Sequence, residues 1–211
     1  MHPPEGEIVV SFFENTRKPA GLGGKMMVFL MNLGHRGLSR WGFQFLDLSA
    51  DAAALDCGCG GGANLKRLLK SCPEGRVTGV DYSEISVGKS RVLNQEAVAA
   101  GRCRVLQASV MHLPFSLETF NAVTAFETVY FWPDLHRSFQ EVRRVLKPDG
   151  TFLICNECGG DAPRDEKWTE VVSGMVIYRD LQLKAALEKA DFREIQIHKN
   201  RHGWLCVTGR K

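Results

Sequence analysis

The nine residues from Leu55 to Ala63, Leu-Asp-Cys-Gly-Cys-Gly-Gly-Gly-Ala, constrain this chain more than any other stretch. A short apolar run, Ala52 to Leu55, precedes the glycines and reads as a buried strand. A helical pattern begins at Asn64 and runs to Leu69. Gly58, Gly60 and Gly62 alternate at the turn between them. Glycine adopts positive φ at low cost and lets a ligand approach the backbone. The turn feeds a helix N-terminus, which favours acidic or electron-rich groups. Together these features predict a nucleotide-binding loop.

Two ligand classes fit such a loop. Gly58, Gly60 and Ala63 satisfy the dinucleotide fingerprint G-x-G-x-x-A. Asp56, at the end of the strand, points the other way. A carboxylate there repels a pyrophosphate and suits a ligand with a positive amino group and no phosphate, such as S-adenosylmethionine.

Asp56-Cys-Gly58-Cys-Gly60-Gly-Gly62 resembles the first motif of the class I S-adenosylmethionine-dependent methyltransferases, an acidic residue followed by G-x-G-x-G. The resemblance runs in order from about Leu46 to the end, through Leu113-Pro-Phe115 and the segment Glu141-Val-Arg-Arg144-Val-Leu-Lys147-Pro-Asp-Gly150. It implies a doubly wound, Rossmann-like α/β sheet of seven strands, mostly parallel with one antiparallel strand. It also implies a methyl group passed from S-adenosylmethionine to a nucleophile; a single domain with no added recognition module makes a small molecule the expected acceptor. Two positions depart from the pattern. Ser109 stands where Asp is common, and Phe120-Asn121 where Phe-Asp is usual. Both leave room for a protein that holds the cofactor or its product without catalysis. A nicotinamide-dependent reductase is the remaining alternative; Asp56 argues against it, as does the lack of a Tyr-x-x-x-Lys pair in the expected region.

The cofactor-binding candidates follow the strand ends. Arg76 to Val80 reads as a second strand ending in Asp81, 23 residues after Gly58, where an acidic side chain accepts both ribose hydroxyls. Tyr82 is placed to pack on adenine or ribose. Ser83 caps a helix expected to run to Ala100. A third strand, Arg104 to Ala108, brings in Ser109 and the backbone of Val110. Asp56, Gly58, Cys59, Gly60, Gly62 and Phe126 complete the set, Phe126 closing a fourth strand from Phe120. No catalytic residue is fixed by pattern. His112, Glu127, Tyr130 and His35 are the candidates for a general base, with Trp132 a further expected pocket residue. Asp134 is expected to cap a helix running to Leu146.

Residues 1–50 are expected to form an N-terminal helical cap, and residues 51–211 the cofactor-binding domain. In the cap, one helix is read at Met26–Asn32, stopped by Gly34. A second is read from Ser39, as N-cap, to Leu48. At the other end, Gly159 to Lys167 reads as a polar loop, Trp168 to Ile177 as a short helix and Asp180 as the cap of a helix to Ala190. Phe192–His198 and Trp204–Gly209 read as an antiparallel strand pair, the ending that the resemblance implies.

Composition narrows the setting. A net charge of +3 without a long basic run gives no pull toward nucleic acid or membrane. The most apolar early run, Met26 to Leu33, falls far short of the roughly 20 residues that span a bilayer. Seven scattered cysteines suit a reducing, cytoplasmic setting. Cys155-Asn-Glu-Cys158 has no second pair at zinc-finger spacing, so no metal site is expected.

Overall fold

A computed structural model describes residues 35–161 and 163–211. The helix read at Met26–Asn32 lies outside the described residues. Seven strands form one sheet: β1 Ala53–Cys57, β2 Arg76–Asp81, β3 Cys103–Gln107, β4 Phe120–Phe126, β5 Leu146–Asn156, β6 Arg193–Lys199 and β7 Leu205–Arg210. Their order is β3-β2-β1-β4-β5-β7-β6. All pairings from β3 to β5 are parallel, and β7 runs antiparallel to both β5 and β6. This is the doubly wound sheet with one reversed strand that the resemblance implies.

The helices are α1 Arg36–Gly42, α2 Ala63–Ser71, α3 Glu84–Leu93, α4 Gln95–Ala99, α5 Leu135–Val145, α6 Pro163–Val171 and α7 Asp180–Lys189. α5 shows the local logic. Asp134 caps it by accepting from Arg137 N–H at 2.9 Å. Phe139, Val142 and Val145, three residues apart, bury one face, and Arg143 and Arg144 complement the dipole in the last turn. The face meets Trp132, Phe152 and Phe192 in the largest apolar cluster. Phe139 stands edge-on to both Trp132 and Phe152. Full burial of each such side chain contributes roughly 1.5–3 kcal/mol. β4 is buried from Ala122 to Phe126, as expected of a central parallel strand with both faces covered.

Several expected elements are redrawn by tertiary contacts. The helix expected from Ser83 to Ala100 breaks at Asn94. The Asn94 amide donates to Gly62 O at 3.1 Å and Ser90 O at 2.9 Å, so a mid-helix residue is diverted to hold the glycine loop. The expected Ser39–Leu48 helix instead starts at Arg36 and ends at Gly42, followed by one 3₁₀ turn, Phe43–Phe45. Ser39 sits buried inside it, and His35 takes the N-cap position. A Cβ on Gly42 would lie 2.7 Å from Cys155 Sγ and 2.8 Å from Phe126, so only glycine lets α1 lie this close to the sheet. Leu38 then joins Phe126, Leu153, Cys155 and Cys206 in a buried cluster. Near the C-terminus, the helix begins at Pro163 rather than Trp168, inside the expected loop. Asp180 lies in the first turn of α7, where it pairs with Lys199 at 2.6 Å, and Arg179 is the N-cap.

The resembled segments away from the glycine loop clamp each other. Glu141 accepts from Leu113 N–H at 3.0 Å, and Arg144 donates to Phe115 O at 2.8 Å and Leu113 O at 3.0 Å. Their spacing in sequence thus records one structural contact. Asn121 is also structural. Its Oδ1 accepts from Ala53 N–H at 2.9 Å and Lys147 Nζ at 3.0 Å, near the start of β4 and far from the strand ends that carry ligands.

Candidate active site

The cavity lies beyond the carboxyl ends of β1, β2, β3 and β4. Strand order reverses there between β1 and β4, the place where open α/β sheets bind ligands. Its volume is about 380 Å³, within the range of small-molecule sites.

The glycine loop forms one wall. Gly58 and Cys59 N–H both donate to Val80 O, at 2.8 and 3.0 Å, so the loop hangs from the end of β2. Gly58 has φ +77, and a Cβ there would lie 2.1 Å from Thr128 Oγ1 and 2.7 Å from Thr128 Cβ. Glycine is therefore required twice, by backbone conformation and by space. Gly60 is different: a Cβ would meet nothing within 4 Å, which leaves its backbone open to a ligand.

Asp81 stands beside this wall. One carboxylate oxygen accepts from Gly60 N–H and the other from Ser83 N–H, each at 2.9 Å. Burial raises its carboxyl above the ordinary value, and the two N–H donors pull it back down. Tyr82, half exposed, with Ser109 and Val110 continue the lining. The Ser109 hydroxyl accepts from Met111 N–H at 3.3 Å.

Asp56 does not line the cavity. It is buried beneath the loop, opposite Thr124 in the β1–β4 pairing, and accepts from the Thr124 hydroxyl at 2.7 Å. Its Oδ2 has no hydrogen-bond partner among the described residues. Burial pushes its carboxyl up to about 7, with the Asp81 charge adding to the shift and the Thr124 hydroxyl opposing it. The expected contact between this carboxylate and a ligand's amino group is therefore not the arrangement found. Asp81 is the acid that lines the cavity on the glycine-loop side.

Beyond β4 the wall changes character. Phe126, Glu127, Thr128, Phe131, Trp132 and Pro133 line it, joined from α1's side by His35 and Ser39. Glu127 has φ +58, a conformation that a non-glycine residue rarely adopts. Its N–H donates to Cys155 O at 3.0 Å, which pins the strained turn against β5. Burial raises its carboxyl above the ordinary value, opposed by His35. His35 Nε2 lies 3.7 Å from Glu127 Oε2 and 3.8 Å from Glu157 Oε2.

Among the candidate bases, the fold thus brings His35 and Glu127 together at the cavity. Tyr130 is buried instead, its hydroxyl 3.2 Å from both Glu127 Oε1 and Cys158 O and accepting from Cys158 N–H at 2.9 Å. His112 is not a lining residue, and its Nε2 lies 2.6 Å from an Arg137 guanidinium nitrogen. Gly62 also sits off the cavity, with φ +83 at the N-cap of α2. Phe131, Thr128 and Glu157 escaped sequence reasoning. Thr128 and Phe131 are neighbours of predicted residues in the turn after β4, whereas Glu157 carries no motif.

Residues 55–154 match the family model described as a methyltransferase domain. The chain is 36% identical over 104 residues to cycloartenol-C-24-methyltransferase 1 of Oryza sativa subsp. japonica, covering 49% of this chain and 30% of that protein. It is 33% identical over 108 residues to squalene methyltransferase 1 of Botryococcus braunii, covering 51% and 28%. The chain thus spans about a third or less of the length of these curated relatives. Among solved structures, a SAM-dependent methyltransferase from Aquifex aeolicus superposes with a TM-score of 0.73 at 17% identity, covering 88% of this chain and 97% of that one. Geranyl diphosphate C-methyltransferase from Streptomyces coelicolor A3(2), in complex with Mg²⁺, geranyl-S-thiolodiphosphate and S-adenosyl-L-homocysteine, gives 0.70 at 15% identity, covering 82% and 75%. These last two are likenesses of fold. The family match thus covers just under half of the chain, from β1 to β5, and the likeness of fold to the Aquifex aeolicus protein extends over 88% of it.

Proposed function

We propose that this protein binds S-adenosylmethionine in the cavity between the glycine loop and the turn after β4, and transfers its methyl group to a small, largely apolar acceptor. The observation that carries this reading is the pairing of Asp81 with Gly60 at the switch point of the sheet. Asp81 is positioned to accept ribose hydroxyls, Gly60 leaves backbone open beside it, and Ser109 and Val110 stand where adenine would lie. Cys59, Tyr82 and Phe126 complete the contacts, with Asp56 and Gly62 supporting the loop from behind. Ser109 is the one departure from the family pattern that faces this cavity; Asn121 does not.

Bound between the glycine loop and the turn after β4, S-adenosylmethionine would supply a methyl group already activated for in-line displacement, with the departing thioether as leaving group. What the chain must supply is position and exclusion of water. Phe126, Phe131 and Trp132 supply apolar surface on the acceptor side. The sterol and squalene methyltransferases among the relatives support an acceptor of that character. Glu127 and His35 are the groups in reach if the acceptor must give up a proton.

The described part of the N-terminal segment, residues 35–50, belongs in this reading as a cover. His35 and Ser39 of that segment line the cavity while Leu38 anchors α1 to the sheet. A reducing, cytoplasmic setting agrees with seven free, buried cysteines. Among the described residues no helix is long and apolar enough to cross a membrane.

Calorimetric titration with S-adenosylmethionine, S-adenosylhomocysteine and NADH tests the reading. Binding of the first two and not of NADH is expected. Binding of NADH alone, or of none, overturns it.

A further inference from the structure

Three ligating side chains from separate elements meet at the acceptor end of the cavity. His35 Nε2, Glu127 Oε2 and Glu157 Oε2 all lie within 4.8 Å of one another. They come from the N-cap of α1, the turn after β4 and the end of β5. We infer that His35, Glu127 and Glu157 hold a divalent cation at the acceptor end of the cavity.

The way Glu127 is held favours a ligand over a simple ion pair. Its Oε1 is taken by two donors from the protein side, the Tyr130 hydroxyl at 3.2 Å and the Glu157 N–H. The Tyr130 hydroxyl oxygen is itself held by Cys158 N–H at 2.9 Å. Oε2 is thereby left free and turned toward His35 and Glu157. Outer partners that fix one oxygen and free the other are how ligating carboxylates are oriented. The Glu157 N–H that braces Glu127 belongs to a residue whose own side chain completes the set, so one backbone segment builds both layers.

The distances suit the assignment. Bonds of about 2.0–2.2 Å to nitrogen and oxygen put neighbouring ligand atoms roughly 3 to 3.5 Å apart. The observed 3.7 and 3.8 Å close to that range with small side-chain rotations. Two carboxylates balance the charge of a divalent ion, and a neutral imidazole adds a borderline donor. One nitrogen and two oxygens, with positions left open, suit Mn²⁺, Fe²⁺ or Zn²⁺ better than Ca²⁺. His35 and Glu127 line the cavity, so the open positions face it. A cation held there supplies Lewis acidity to an acceptor oxygen, a hydroxyl, carbonyl or phosphate. The acceptor class narrows accordingly, to an apolar molecule with one oxygen function near the methylated atom. The cation site rests on its own residues, and the refinement of the acceptor rests on the methyltransferase reading.

Titration of the chelator-treated full chain with Mn²⁺, followed by loss of the free-ion electron paramagnetic resonance signal, tests the site. One Mn²⁺ per chain is expected, displaced by Zn²⁺. Glu157→Gln and His35→Gln should each weaken it by roughly tenfold or more. Glu157 is well exposed, so its variant is expected to fold, which retained S-adenosylhomocysteine binding checks. No bound Mn²⁺ up to millimolar concentration overturns the site, as does unchanged affinity in both variants. Failure of the wild type to bind S-adenosylhomocysteine overturns the methyltransferase reading alone, because the Mn²⁺ titration is read independently of it.

Discussion

The two halves of the cavity are built in opposite ways. The cofactor half takes its working groups from one unbroken run, β1 to β3, in which each loop follows its strand directly. Gly58, Cys59 and Asp81 are tied to one another through Val80 O and Gly60 N–H. The acceptor half is gathered from His35, Glu127 and Glu157, which no single element joins. On the proposed function, the methyl donor would be met by backbone and short-range contacts, and the acceptor by side chains that tertiary packing brings together. Damage should follow the same division.

The largest effect is expected at Gly58. Gly58→Ala forces φ near +77 on a residue with a Cβ, costing about 1–2 kcal/mol, and drives that Cβ into Thr128. A loss of roughly 3 kcal/mol or more in denaturant unfolding is expected, with S-adenosylhomocysteine binding abolished. Adding Thr128→Gly removes the clash and leaves the φ strain, so partial recovery is expected. Full tolerance of the single variant would mean that the loop is not the rigid half.

A smaller, pH-dependent effect is expected at Asp56. Its folded-state carboxyl sits at about 7, above its ordinary value. Between those limits the folded protein holds a proton that the unfolded chain has released. This contribution to stability is complete in acid and is lost as pH rises through about 7, at no more than about 1.4 kcal/mol per pH unit. Asp56→Asn keeps an acceptor for the Thr124 hydroxyl and does not ionise. Relative to wild type it should gain about 2 kcal/mol or more between pH 5 and pH 8, read from urea unfolding at each pH. A difference that stays flat with pH would show that Asp56 is not held as the structure places it.

The mildest of the three falls in the acceptor half. Tyr130→Phe removes the hydroxyl that accepts from Cys158 N–H and braces Glu127. A cost of about 1–2 kcal/mol is expected in thermal unfolding, with S-adenosylhomocysteine affinity unchanged. Loss of cofactor affinity in this variant would merge the two halves into one cooperative unit.

Legibility followed the same division. The glycine loop, Asp81 at the end of β2, the cap by Ser83 and the strand Phe120–Phe126 could be read because each is a local pattern. Ser83 does accept from Ser86 N–H, at 3.4 Å. Asp56 shows where local pattern stops. Its position at a strand end was readable, but its burial was set by Thr124 across the β1–β4 pairing. The break at Asn94 was hidden for the same reason, since the amide turns toward Gly62, 32 residues away. Asn121 looked like a weakened site residue and is a clamp between β1, β4 and Lys147.

The alternation of strands and helices, the reversed last strand and the glycine loop at the end of β1 were all readable along the chain. Those depend on periodicity, on glycine conformation and on residues a few positions apart, all written along the chain. Packing between separate elements set the rest: Asp56 buried while Asp81 lines the cavity, Tyr130 bracing Glu127, and His35 beside Glu127 and Glu157. Each of these turns on which side chain faces which across separate elements. The free energies involved arise from burial and from contacts between residues far apart in sequence, so no local pattern encodes them.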